Sequence, residues 1–170
     1  MKRVVIIGSP CTGKSTLTNN LAKLYNAPFS NEFVRDYVNN IKRKICMEDL
    51  ALIIDGQNNY EKFVCRKSTS LVFHDTNLLS TLIYSDYYYK TTPSSLKTLL
   101  NKNIYDLYLL CKNDIPWIDE PLQRDNPKAQ SDIQERFKMY LEKNHLPYVQ
   151  VCGSLQNRID QSINSISKLQ

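Results

Sequence analysis

Val4-Val5-Ile6-Ile7-Gly8-Ser9-Pro10-Cys11-Thr12-Gly13-Lys14-Ser15-Thr16 is the stretch from which the rest of the chain can be read. Val4 to Ile7 form an unbroken apolar run, the pattern of a strand buried on both faces of a parallel sheet. From Gly8 the spacing is G-x-x-x-x-G-K-S, and apolar residues at helical spacing begin at Leu17. Strand, glycine-rich loop and helix in that order make a phosphate-binding loop. Gly8 and Gly13 permit the tight turns that aim successive N–H groups of Ser9, Cys11 and Thr12 at phosphate oxygens, with Pro10 between them. The helix that opens around Lys14, Ser15 and Thr16 adds the positive end of its dipole. Lys14 is placed to reach the β- and γ-phosphates, and the Ser15 hydroxyl to ligate Mg²⁺. Two of the chain's four glycines lie here. The spacing predicts a bound nucleoside triphosphate, with ATP and Mg²⁺ as the cofactors.

At 170 residues the chain can bury a real core, and we expect residues 1–170 to form one domain. An apolar content of 42% is ordinary for a globular protein. The apolar run after Lys2-Arg3 is too short for a signal peptide, and no stretch reaches the length of a membrane span. The expectation is a cytoplasmic protein with no membrane partner. The net charge of +5 is mild, and its densest run, Lys42-Arg43-Lys44, reads as a solvated helix face rather than a nucleic-acid patch. The five cysteines are scattered without a C-x-x-C pair, which argues for free thiols and against a zinc site. Cys11 alone lies where its chemistry bears on the phosphate loop.

Periodicity predicts a five-stranded parallel sheet, with strands near 3–8, 27–31, 70–75, 105–111 and 147–152 and helices on both faces. Between the second strand and the next helix stands Asn31-Glu32-Phe33-Val34-Arg35-Asp36-Tyr37-Val38. Glu32, Arg35 and Asp36 there fit ligand work, since ligands gather at the carboxyl ends of strands in α/β sheets. A charged first helical turn capped by Asn31 fits the same residues. Met47 to Arg66 reads as a helix interrupted at Gly56-Gln57, where either something approaches the backbone or a loose turn forms. Ser70-Leu71-Val72-Phe73-His74-Asp75 is an apolar run ending in a carboxylate, the pattern that places Asp75 beside Mg²⁺. His74 reads as a packed imidazole. The cluster Tyr84 to Tyr89 reads as rim packing, with one ring free to stack on a planar ligand. Lys112 to Pro127, rich in proline and charge and holding the only tryptophan, Trp117, reads as a lid loop. Helices are expected at 131–144 and 155–169.

With these pieces in view the chain resembles the ribosylnicotinamide kinase domain of NadR-type NAD-biosynthesis proteins. The resemblance rests on Gly8 to Ser15, Glu32 to Val38, Gly56-Gln57, Asp75-Thr76-Asn77, Pro116 to Leu122, Arg124, Arg136, Pro147-Tyr148 and Gly153. Two departures stand out: Asn77 where the family usually has Asp, and an extra residue, Gln123, before the lid arginine. The resemblance implies a P-loop fold with strand order 2-3-1-4-5. It implies transfer of a phosphoryl group from ATP to the 5′-hydroxyl of nicotinamide riboside, a small nucleoside substrate. Lys14, Arg124 and Mg²⁺ on Ser15 and Asp75 would neutralise charge, and Glu32, or else Asp36, would take the hydroxyl proton. Arg35, Gln57, Asn77 and Trp117 would hold the nucleoside, Trp117 by stacking on the cationic ring. By likeness to similar kinases, adenine would lie near Gly153. A deoxynucleoside or nucleotide kinase shares the loop, the strand-end carboxylate and the lid. A regulator that binds ATP without turnover is the reading of another class, and Asn77 is the residue that favours it.

Overall fold

The computed structural model describes residues 1–68, 70–118 and 127–169. The five strands are β1 (Lys2–Ile7), β2 (Phe29–Ser30), β3 (Leu71–Asp75), β4 (Leu107–Cys111) and β5 (Tyr148–Val151). All pair in parallel, in the order β2-β3-β1-β4-β5. Strand β1 therefore lies at the centre, and the loop that follows it opens at the middle of the sheet's carboxyl edge. Crossing from β3 to β4 on either side of β1 creates the switch point where such sheets bind ligands.

Val4 to Ile7 are fully buried, and alternate side chains serve opposite faces. Val4 and Ile6 pack with Leu17 and Leu21 of α1 (Lys14–Leu24) and Ile166 of α7 (Leu155–Ile166). Val5 and Ile7 pack with Ile54 of α3 (Leu50–Cys65), Leu79 of α4 (Leu78–Tyr89) and Phe137 of α6 (Pro127–Lys143). The remaining helices are α2 (Phe33–Ile41) and α5 (Ser94–Lys102), with a 3-10 turn at Met47–Asp49 leading into α3.

Four expectations shift. Asn31 does not cap α2; Glu32 occupies that position, with its side chain free of the capping role. Gly56 does not interrupt α3, because a Cβ there would stand 2.2 Å from Phe33 Cζ, and glycine lets α2 and α3 close together. The close approach is the correct reading and the loose turn is not. Helix α6 begins at Pro127, since proline is well suited to a first helical position. Finally, Lys42-Arg43-Lys44 lies beyond α2: Arg43 pairs with Asp49 at 2.6 Å, joining the connection to the start of α3. No helix among the described residues is long and apolar enough to cross a membrane, and all five cysteines carry free thiols.

Candidate active site

The loop after β1 bends back under the sheet edge because its backbone is forced close to β4. A Cβ on Gly8, at φ 145°, would stand 2.7 Å from Cys111 O, so only glycine fits. Cys11 and Gly13 take φ values of 58° and 76°, and α1 starts at Lys14 with Gly13 as its N-cap. Alternation of right- and left-handed backbone of this kind curls successive N–H groups around an anion. Lys14 Nζ donates to Ser9 O at 2.9 Å, and Thr12 Oγ1 donates to the same carbonyl at 2.9 Å. Thr16 is exposed on the first turn of α1. Cys11 Sγ donates to Pro116 O at 3.5 Å and accepts from Ile118 N at 3.2 Å, so the β4–α6 connection is tied to the phosphate loop.

Asp75 closes β3 one strand away. The Ser15 hydroxyl bonds to it, while its Oδ1 is buried with no partner among the described residues. Burial, then the facing Glu32 carboxylate, push Asp75 up to about 6. A buried carboxylate oxygen without a donor, beside a hydroxyl and Lys14, is a donor set that suits Mg²⁺ carried in by a triphosphate. Among the described residues no three His, Cys, Asp or Glu side chains gather to hold a metal by themselves. Thr76 follows at φ 66°, a strained position for a β-branched residue, with its N–H on Ile6 O at 3.0 Å. Asn77 then caps α4, its Oδ1 accepting from Leu79 N at 3.1 Å.

A cavity of about 430 Å³ runs from the loop into the body of the protein. Pro10, Cys11 and Lys14 of the loop line it together with Glu32, Arg35, Gln57, Thr76, Asn77 and Ser80. Val34, Leu50 and Ile53 line it with Tyr84, Tyr88 and Tyr89 of α4, where the Tyr84 and Tyr88 rings lie stacked at 6.3 Å between centroids. Glu32 Oε2 sits 3.6 Å from an Arg35 guanidinium nitrogen. Gln57 is committed at both ends, its Oε1 accepting from Phe33 N at 3.0 Å and its Nε2 donating to Glu61 at 3.4 Å. It holds the start of α2, and Glu32 with it.

The structure does not bring every expected residue here. Asp36 faces α3, where it accepts from Tyr60 OH at 2.9 Å. It does not line the cavity. Trp117 is half-buried and does not line it either; its neighbours Pro116 and Ile118 bond through their backbone to Cys11. The aromatic wall is built from tyrosines instead. Arg124, with the part of the expected lid at 119–126, lies outside the described residues. His74 is packed as expected, fully buried with Nδ1 2.9 Å from Ser30 Oγ, and burial lowers it to about 3. Gly153 lies across the loop from the cavity, its N–H on Asp114 Oδ2 at 2.7 Å.

Several residues had no signal in the sequence strong enough to find them. Lys44 is exposed, as a basic run normally is, and also lines the cavity. Gln134 accepts from Ser9 N at 2.9 Å, so that N–H is taken up by α6 and not aimed at a phosphate as expected; Gln134 also donates to Cys111 O at 3.0 Å, and Gln130 reaches Pro10 O. Arg158 of α7 is nearly fully buried beneath the loop. The 130/134 spacing and the stripe Arg158, Ser162, Ile166 put these on single helix faces, but i,i+4 polar residues are common on exposed faces too.

A model of the AAA domain family matches residues 3–158. The trifunctional NAD biosynthesis/regulator protein NadR of Escherichia coli strain K12 is 26% identical over 156 residues, 89% of this chain and 38% of that protein. The chain thus spans well under half of that curated relative. Solved structures of NadR protein, one in complex with NR and one with NAD and AMP-PNP, superpose with TM-scores of 0.82 and 0.81 at 25% identity, covering 99% of this chain and 49% of theirs. Deoxyadenosine kinase from M. mycoides shares the fold at 12% identity, with a TM-score of 0.70 over 99% of this chain and 100% of that one.

Proposed function

This chain belongs to the AAA domain family, and on that premise we propose that it is a nucleoside kinase that phosphorylates nicotinamide riboside at its 5′-hydroxyl, giving nicotinamide mononucleotide. The observation that carries the reading is the continuity of one cavity from Lys14 through Glu32 to the tyrosine wall. Loop residues, a carboxylate and tyrosine rings then share one space, the groups that a triphosphate, a hydroxyl and a base would need. NadR, to which the chain is similar over 89% of its length, has been captured with NR.

Phosphoryl transfer depends on position and charge more than on covalent chemistry. The loop N–H groups and Lys14 hold the β- and γ-phosphates. Ser15 and Asp75 would hold Mg²⁺, which when bound neutralises charge on those phosphate oxygens. Glu32 accepts the proton of the 5′-hydroxyl as its oxygen attacks the γ-phosphorus. Arg35 orients that carboxylate from 3.6 Å, and Gln57 fixes the helix start that carries it. The tyrosines of α4 face the base. Asn77 caps a helix through Oδ1, so its difference from the family's Asp does not by itself argue for a protein without turnover. A neutral nucleoside is the second reading, and the observation that favours it is the position of Trp117 off the cavity. Tyrosine stacks on neutral and charged rings alike.

Glu32→Gln and Asp36→Asn test the assignment of the base. Glu32→Gln should lower kcat by about 10²–10⁴, the range of a lost general base, with ATP affinity retained. Asp36→Asn should keep kcat within a few-fold. Equal losses, or the larger loss at Asp36, would contradict the assignment.

A further inference from the structure

The phosphate loop is held from outside by side chains of the two last helices. Gln130 on α6 donates from Nε2 to Pro10 O at 2.8 Å, and Arg158 on α7 donates from Nη1 to Thr12 O at 2.7 Å. In a trans peptide the carbonyl and the following N–H point to opposite sides. Fixing Pro10 O towards α6 therefore turns Cys11 N–H away from α6, and fixing Thr12 O towards α7 turns Gly13 N–H away from α7. These are the two left-handed residues whose N–H groups belong to the cradle.

Both holders are themselves built in. Gln130 and Arg158 are 7% and 3% exposed. The Arg158 guanidinium also donates to Gly153 O at 3.0 Å, to Lys112 O at 3.1 Å and to the Asp114 carboxylate. Its planar fork is held on several sides, so its hold on Thr12 O has little freedom to swing. Gln134 does different work, because it takes up Ser9 N–H and ties the first turn of the loop to β4.

We propose that Gln130 and Arg158 are positioning residues for the donor phosphates: by holding two carbonyls outward, they set the direction of the two N–H groups that grip the triphosphate. This rests on the reading of the loop as the donor site. It predicts that side chains which never touch ATP govern its phosphate affinity.

Gln130→Met keeps length and apolar packing but removes the donor, and Arg158→Lys keeps a cation but removes the fork. Titration calorimetry with Mg²⁺ compares ATP with inorganic tripolyphosphate, which has phosphates and no base. Melting temperature and the acceptor KM are read on the same preparations. Both ligands should weaken by the same factor, about tenfold, which is about 1.4 kcal/mol and the scale of one displaced hydrogen bond. The acceptor KM should hold. A loss for ATP without one for tripolyphosphate would place the effect at the base and overturn the proposal. Unchanged tripolyphosphate affinity in folded Gln130→Met would overturn it too, as would an acceptor KM that rises in step, the mark of a general structural role. If Arg158→Lys does not fold, Gln130→Met decides alone. Wild type that binds neither ligand would remove the donor reading and this proposal together.

Discussion

Glu61 sits one helical turn from Gln57 and is buried among polar partners, Gln57, Tyr105 and Arg3. Burial pushes its carboxyl up to about 7, although Tyr105, Arg3 and Gln57 all favour the charged form. Since that lies above its ordinary 4.5, the folded protein retains a proton there that the unfolded chain gives up. The resulting stability is fully present below the unfolded value and is lost as pH rises through about 7. His74 acts in the opposite sense, because its lowered value costs stability as pH falls below 6.5. Comparing wild type with Glu61→Gln cancels the histidine. In denaturant melts the variant should gain on wild type from about pH 5 to about pH 8; a constant difference would contradict the account. At this scale the sequence was readable where spacing carries the chemistry. Lys14, Ser15 and Asp75 stand close together in the fold, because a loop and a strand end place them. In the sequence Glu32 ranks ahead of Asp36 only through its place at the strand end, since two carboxylates four residues apart do not declare which one lines a cavity. In the fold Glu32 lines the cavity, whereas Asp36 accepts from the Tyr60 hydroxyl.

The elements that place the acceptor site are α2 and α3, and their closeness depends on one missing methyl group. Ala is ordinarily about 1 kcal/mol better than Gly in a helix. Here its Cβ would meet the Phe33 ring at 2.2 Å. Gly56→Ala should therefore destabilise the fold by about 1–3 kcal/mol, the usual cost of overpacking, and raise the acceptor KM as α2 shifts Glu32. A variant as stable as wild type, with unchanged KM, would show that the helices part freely. The β4–α6 connection gives a second check. Because Trp117 does not line the cavity, Trp117→Leu should change affinity for nicotinamide riboside and for uridine by the same factor. A loss confined to the riboside would restore the cation–π role. Elements themselves were legible wherever an apolar period ran long enough, as in α1 and α4. At Gly56 the expected interruption of α3 was wrong and the close approach right; the sequence could not choose, because propensity describes an isolated helix and the ring that rewards glycine comes from twenty-three residues away, at Phe33.

Across the whole molecule the order β2-β3-β1-β4-β5 puts the loop, Asp75 and Glu32 on one edge of the sheet, and that edge was predictable once β1 and its loop were recognised. What the sequence concealed is that α6 and α7 hold the loop from its far end, through Gln130 on Pro10 O and Arg158 on Thr12 O. Long-range packing of this kind leaves no local period to read. The central claim is that one continuous cavity joins a triphosphate site to a nucleoside site. The most direct test is ADP release by the purified chain with Mg-ATP, with and without nicotinamide riboside, and with the product weighed by mass spectrometry. The account predicts riboside-dependent ADP formation matched one for one by nicotinamide mononucleotide, and no such product from Lys14→Ala. ADP formation that ignores the riboside, or that responds only to another nucleoside, would contradict it.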